Sequence, residues 1–185
     1  MVPRGDATGK RHGLQGPIDD AFLDSFLCVR PVGKLNSQVR KFAANQLTRF
    51  QDEFARWMRG DFRVEQQSEL TDADHKANNI VLFGTPGDNP LIARIIRESP
   101  ISWSRTKIRV GKRSFSAHTH MLSMIRPNPL NPSRYVVINS GHTFHAADFQ
   151  GNNVLLYPRV GDWAVTDVRT GKVVAEGYFD RNWRL

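Results

Sequence analysis

The chain has 185 residues, 39% of them hydrophobic and 24% charged, which suits one globular domain and excludes a disordered chain. No run approaches the roughly 18 apolar residues of a membrane-spanning helix, and a single cysteine, Cys28, excludes an intrachain disulfide and a cysteine-rich zinc module. Twenty-six Lys and Arg against eighteen Asp and Glu leave a net charge of +8, which inclines the surface towards acidic partners.

In chain order, Met1 to Gly9 lacks the apolar core of a signal peptide and reads partly as a tag remnant. Residues 1–17 are therefore expected to be a tag remnant or interdomain linker, with one α/β domain over 18–185. The stretch from Ser25 to Arg30 reads as a buried strand, and Pro31, Gly33 and Asn36 then break the chain. From Ser37 to Arg59, apolar residues such as Val39, Phe42, Leu47, Phe50, Phe54 and Trp57 recur at steps of three and four. That spacing predicts one long amphipathic helix, ended by Gly60. A strand pattern follows from Phe62 to Gln66, and Thr71 with Asp74 forms a capping-box signal for a short helix reaching Asn78. Asn79 to Gly84 is a strand apolar at four successive positions, as expected when both faces are covered. Asn89 then reads as an N-cap and Pro90 as the first residue of a helix running to Glu98.

In the second half, Gly111-Lys112 joins two strand patterns, Lys107 to Val110 and Arg113 to Ala117, as a hairpin. Met121 to Arg126 reads as a strand, PNPLNP as a turn-rich connector, and Tyr135 to Asn139 as another buried strand. Trp163 to Val168 and Val173 to Phe179, separated by Thr170-Gly171, form a closing antiparallel pair. These elements together predict a three-layer α/β domain, flavodoxin-like in outline. Its sheet would be mixed but mainly parallel, with antiparallel strands near the carboxyl end and the Ser25, Asn79 and Tyr135 strands central.

The sequence contains no GxSxG elbow, no phosphate-binding GxxxxGK[ST], no GxGxxG and no HExxH. The loop Gly84, Thr85, Gly87, Asp88 and Asn89 follows a strand and opens a helix, where backbone N–H groups favour an anion. With Asn139 at the end of a second strand it is a candidate ligand-binding crevice, which Ser140 and His142 would share. Asp19 and Asp20, with Ser140 and His142, are the candidate acid–base and nucleophilic groups; as readily, the two aspartates cap a turn or answer arginines. His118, His120, His142 and His145 are weak candidates for a zinc cage, but no carboxylate or thiolate anchors either pair, so no metal and no other cofactor is expected. Seven cations, Arg94, Arg97, Arg105, Lys107, Arg109, Lys112 and Arg113, are opposed only by Glu98. They predict a docking patch for an acidic partner, an acidic polysaccharide or a neighbouring domain rather than nucleic acid, since RNA-type aromatic motifs and Cys/His fingers are absent.

The strings KRHGLQGPIDDAFLDSFLCVRP, LTDADHKANNIVLFGTPGDNPLIARI, RPNPLNPSRYVVINSGHTF, DWAVTDV and GYFDRNWRL together resemble a bacterial family. It is the carboxy-terminal module of large secreted serine hydrolases of the prolyl-oligopeptidase or esterase type, found in planctomycete-like bacteria. The resemblance spans roughly residues 10–185 and carries over no catalytic residue. It implies an accessory, non-catalytic α/β module, extracytoplasmic within a longer chain, whose partner is the parent's catalytic domain and whose surface avoids membranes. A cytoplasmic protein is expected if the chain is complete. The competing expectations are a small stand-alone hydrolase using the crevice at 84–89 and 139–142, and a basic domain binding acidic glycan or nucleic acid.

Overall fold

The computed structural model describes residues 9–32, 37–145, 147–151 and 156–185. Three short apolar runs find one another as neighbouring parallel strands: β1 (Phe26–Val29), β3 (Asn79–Leu82) and β8 (Asn131–Ile138). The two-residue β2 (Val64–Glu65) extends the parallel set at the outer side of β1. Beyond β8 the direction reverses. Strands β7 (His120–Asn128), β9 (Trp163–Asp167) and β10 (Lys172–Gly177) follow in antiparallel order, giving the sheet β10-β9-β7-β8-β3-β1-β2. Three neighbouring pairs are parallel and three antiparallel, so the sheet is evenly mixed where a mainly parallel one was expected. The cause is the long β7–β8 hairpin, which turns the chain back beside itself instead of crossing over through a helix. A separate antiparallel sheet is built by β4 (Ser102–Trp103), β5 (Lys107–Val110) and β6 (Arg113–Ser116).

Helix α1 (Gln38–Glu53) starts at Ser37, whose side chain accepts the Arg40 N–H, and buries Val39, Ala43, Leu47 and Phe50. Its expected last turn is present but widened into a π-helical turn over Phe54–Met58, ending with Arg59 in the left-handed region just before Gly60. Phe54 there meets Phe26 and Phe62 edge-on, so aromatic packing under the helix accompanies the wider turn. Helix α2 (Asp72–Ala77) carries the expected capping box between Thr71 and Asp74. Asn89 caps α3 (Pro90–Arg97), accepting from the N–H groups of Leu91 and Ile92. Among the described residues no helix is long and apolar enough to cross a membrane.

PNPLNP is not a connector between elements. Pro127 and Asn128 end β7, Asn131 and Pro132 begin β8, and only Pro129 and Leu130 form the tip. The register shifts at Pro127/Asn128, the kind of irregularity that lets a residue without an N–H sit in a strand. Residues 9–17, expected to belong to a linker or tag remnant, also lie in the body of the domain; residues 1–8 fall outside the described residues. Leu14 is buried, and the Lys10 ammonium pairs with the fully buried Asp162 at 2.5 Å. Asp162 also accepts the Phe179 N–H, so a single carboxylate joins the segment around Lys10 to the segment around Phe179.

The β3–β8 pair is closed at each end by an asparagine. At the start, Asn79 Oδ1 accepts the Tyr135 N–H and its Nδ2 donates to the Ala21 carbonyl. At the finish, Asn139 Oδ1 accepts the Gly84 N–H, while Nδ2 donates to the carbonyls of Gly84 and Leu122. Asn139 has φ 51°, a left-handed conformation asparagine tolerates better than most residues. Asn139→Ala removes these three bonds, leaves the buried Gly84 N–H without its acceptor and strains the backbone. Urea unfolding is expected to show a loss of about 3–4 kcal/mol, and Asn139→Gly is expected to regain about 1 kcal/mol of it by relieving the strain alone.

Candidate functional site

The turn after Asn139 is pulled over the sheet rather than away from it. Thr143 donates its N–H and its hydroxyl to the buried Asp19 carboxylate, at 2.7 and 2.5 Å. Gly141 passes so close to α1 that a Cβ there would sit 2.3 Å from the Phe50 ring. Between this turn, α1 and the antiparallel strands lies a cavity of about 550 Å³. Met121 and Ser123 of β7, and Ala164 and Thr166 of β9, form its floor, with Arg49, Phe50 and Glu53 on the α1 side. Arg159, Lys172 and Glu176 add charge around it.

His142 is the distinctive group of this cavity. Its side chain is only 4% exposed, yet among the described residues neither ring nitrogen has a hydrogen-bond partner. The ring stacks on Phe144 and meets Phe50 and Phe149 edge-on. Burial pushes the imidazole below its ordinary value, outweighing the upward pull of Glu53, whose carboxylate lies 3.9 Å from Nε2; the Arg49 charge adds to the lowering. Arg49 and Glu53 are themselves paired at 2.8 Å. At neutral pH the cavity wall thus contains an uncharged ring whose one donor and one acceptor are buried and, among the described residues, unpaired.

The expected site residues separate. Ser140 and His142 are near in sequence, but the Ser140 hydroxyl donates to the Gly141 carbonyl at 2.9 Å and does not engage the ring. Asp19 positions Thr143, and burial raises its carboxyl above the usual range. Asp20 accepts from the Tyr135 hydroxyl. The loop of Gly84, Thr85, Gly87, Asp88 and Asn89 stays outside the cavity. Thr85 donates to Asp88 at 2.6 Å, Asp88 pairs with Arg40, and Asn89 is occupied as a cap. The two loops are neighbours, as β3 and β8 are, but the Asn139 side chain fills the space where the crevice was expected, and the opening lies on the other side of β8.

Among the described residues no three His, Cys, Asp or Glu side chains converge as a metal site. His120 is held locally, its Nδ1 3.1 Å from the Ser116 carbonyl and 3.0 Å from the Thr119 hydroxyl. Cys28 is buried and its thiol is pushed well up by desolvation. Of the seven basic residues, Arg94 pairs with Glu98, and Arg113 donates to the Val174 carbonyl and lies over Phe115. The cavity residues Arg49, Glu53, Arg159, Lys172 and Glu176 were not among the expected site residues. Two signals pointed to the floor: Ser123 and Thr166 interrupt otherwise apolar strands at inward positions. In comparisons with protein-family models, curated proteins and solved structures, nothing matches this chain.

The buried ring has a consequence for stability. Its folded value lies below the 6.5 of a free histidine, so the unfolded chain takes up the proton first as pH falls. The stability it leaves intact above about pH 6.5 is lost as pH falls through the folded value. His142→Phe keeps a ring between Phe50 and Phe144 and removes the titration. Denaturant midpoints measured from about pH 7 to about pH 5 are expected to fall less in this variant than in the parent chain.

Proposed function

We propose that the chain is an accessory, non-catalytic binding module of a larger secreted bacterial serine hydrolase, and that the cavity beside β8 is where it holds part of a substrate. The observation that carries this reading is the His142 ring. It lines the cavity with both nitrogens buried and unpartnered among the described residues, and no hydroxyl or thiol among them is hydrogen-bonded to it. Nucleophilic catalysis needs that pairing; ligand recognition needs only uncommitted donors and acceptors in a concave, partly apolar setting. The parent's catalytic domain is the expected partner, as the resemblance to carboxy-terminal modules of esterases and prolyl-oligopeptidase-like enzymes implies. In the same reading, the strand order β2-β1-β3-β8 supports a three-layer, flavodoxin-like view of the parallel half.

One observation favours the stand-alone enzyme instead: Glu53 and His142, 3.9 Å apart in the cavity, have the composition of an acid–base pair. Two measurements separate the readings. The isolated chain is expected not to hydrolyse nitrophenyl acetate or short peptides above background. The ring-nitrogen NMR signals of His142 are expected to shift on addition of at least one of glucose, glucuronate or an acetylated dipeptide. Turnover that disappears in both Glu53→Gln and His142→Ala makes the chain an enzyme, and silence of the ring towards all three compounds removes the cavity as a binding site.

A further inference from the structure

The small sheet presents two different faces. Trp103, Ile108 and Val110 are buried on one, with Phe115 beside them. The other is formed where Ser102, Arg109 and Ser114 lie in register across the three strands, and where Ser116 lies opposite Lys107. All five of these residues are exposed. Arg105 and Lys112 stand at the two ends of β5, also exposed. Lys107 and Arg109 share this face with serines beside them, and Arg105 and Lys112 stand in the turns at the two ends of β5, so four exposed cations follow one another along roughly 20 Å of chain at about 3.3 Å per residue. Among the described residues none of the four has an ion-pair partner. The sequence from 99 to 147 contains no Asp or Glu at all. Arg113, by contrast, belongs to the other side of the sheet, where it reaches the Val174 carbonyl.

We propose that this face is a binding surface for an acidic, uronate-bearing polysaccharide lying along β5. A single line of charges fits one extended chain with regularly spaced carboxylates, and the flanking serine hydroxyls fit a polymer rich in hydroxyl groups. Nucleic acid fits less well. The aromatic residues of the sheet, Trp103 and Phe115, lie off the exposed face, so no base can stack there. A duplex would present two curving rows of phosphates to cations that follow a single strand and its turns. The surface is distinct from the cavity: Ser99, which leads from α3 into β4, touches Met124, and Met124 points to the opposite side of β7 from Ser123 on the cavity floor. This inference therefore stands whether or not the cavity binds a ligand.

The test is calorimetric titration of the 185-residue chain with oligogalacturonate, neutral galactan and a short DNA duplex, at ~20 mM and ~200 mM salt. The expected result is binding of oligogalacturonate at low salt, weakened at high salt, with no binding of galactan and weaker binding of DNA. Lys107→Glu with Arg109→Glu is expected to lower that affinity at least tenfold. Lys76→Glu, exposed on α2, is expected to lower it less than twofold. Equal or tighter binding of DNA, equal binding of galactan, an unchanged affinity in the double variant, or an equal loss in Lys76→Glu each overturns the proposal. Circular dichroism and unfolding midpoints confirm that the exposed substitutions leave the fold intact.

Discussion

Everything distinctive about this fold passes through the side chain of Asn139. It stands where a sheet that has been parallel across β3 and β8 becomes antiparallel across β8 and β7. The backbone ladders of β8 towards β3 on one edge and β7 on the other both run as far as Ile138. One residue further on, the Asn139 carboxamide continues the pairing to both sides. One oxygen and one nitrogen take up the N–H and C=O of Gly84 and the carbonyl of Leu122, and the Ser123 hydroxyl closes the set on the Asn139 carbonyl at 2.8 Å. These are buried groups, and each would be costly to leave unmatched.

The left-handed turn at Asn139 then decides where the chain goes next. It delivers Gly141 against the Phe50 ring and Thr143 to Asp19, so the segment lies over the antiparallel strands instead of continuing into solvent. The cavity is the space left between that segment, α1 and a floor made of smaller side chains, Ser123, Ala164 and Thr166. His142 is buried there as a result of its neighbours' constraints, with aromatic rings around it and no hydrogen-bond partner among the described residues. A histidine so placed costs some stability.

Charge is distributed by the same logic. Acidic residues are used for internal ties: Asp162 to Lys10, Asp148 to Arg159 at 2.6 Å, and Asp167 to Arg169 at 2.6 Å. The Arg169 guanidinium and its N–H hold the Asp167 carboxyl far below the usual carboxylate range. With its carboxylates committed in this way, a chain of net charge +8 has few left to answer the cations of the small sheet, and among the described residues these have no ion-pair partner. The cavity and the charged face are therefore separate results of one composition.

The sequence by itself determined the local elements, because each depends on residues close in the chain. The spacing in Ser37 to Arg59, the capping box at Thr71 and Asp74, the cap at Asn89, and the turns at Gly111-Lys112 and Thr170-Gly171 all lie where the pattern placed them. The apolar runs at Asn79 and Tyr135 are strands, as their patterns predict; that they lie side by side in parallel came with the structure. Tertiary structure alone decided the side of β8 on which a site opens. It also decided that Asn139 is a structural clasp, that 9–17 belongs to the body, and that Arg113 leaves the basic line. The partners responsible are far apart in the chain: 55 positions between Asn139 and Gly84, 124 between Thr143 and Asp19, 152 between Asp162 and Lys10. Periodicity reports which face of an element is buried, but it carries no information about which distant group meets that face, and it is those meetings that shape the cavity.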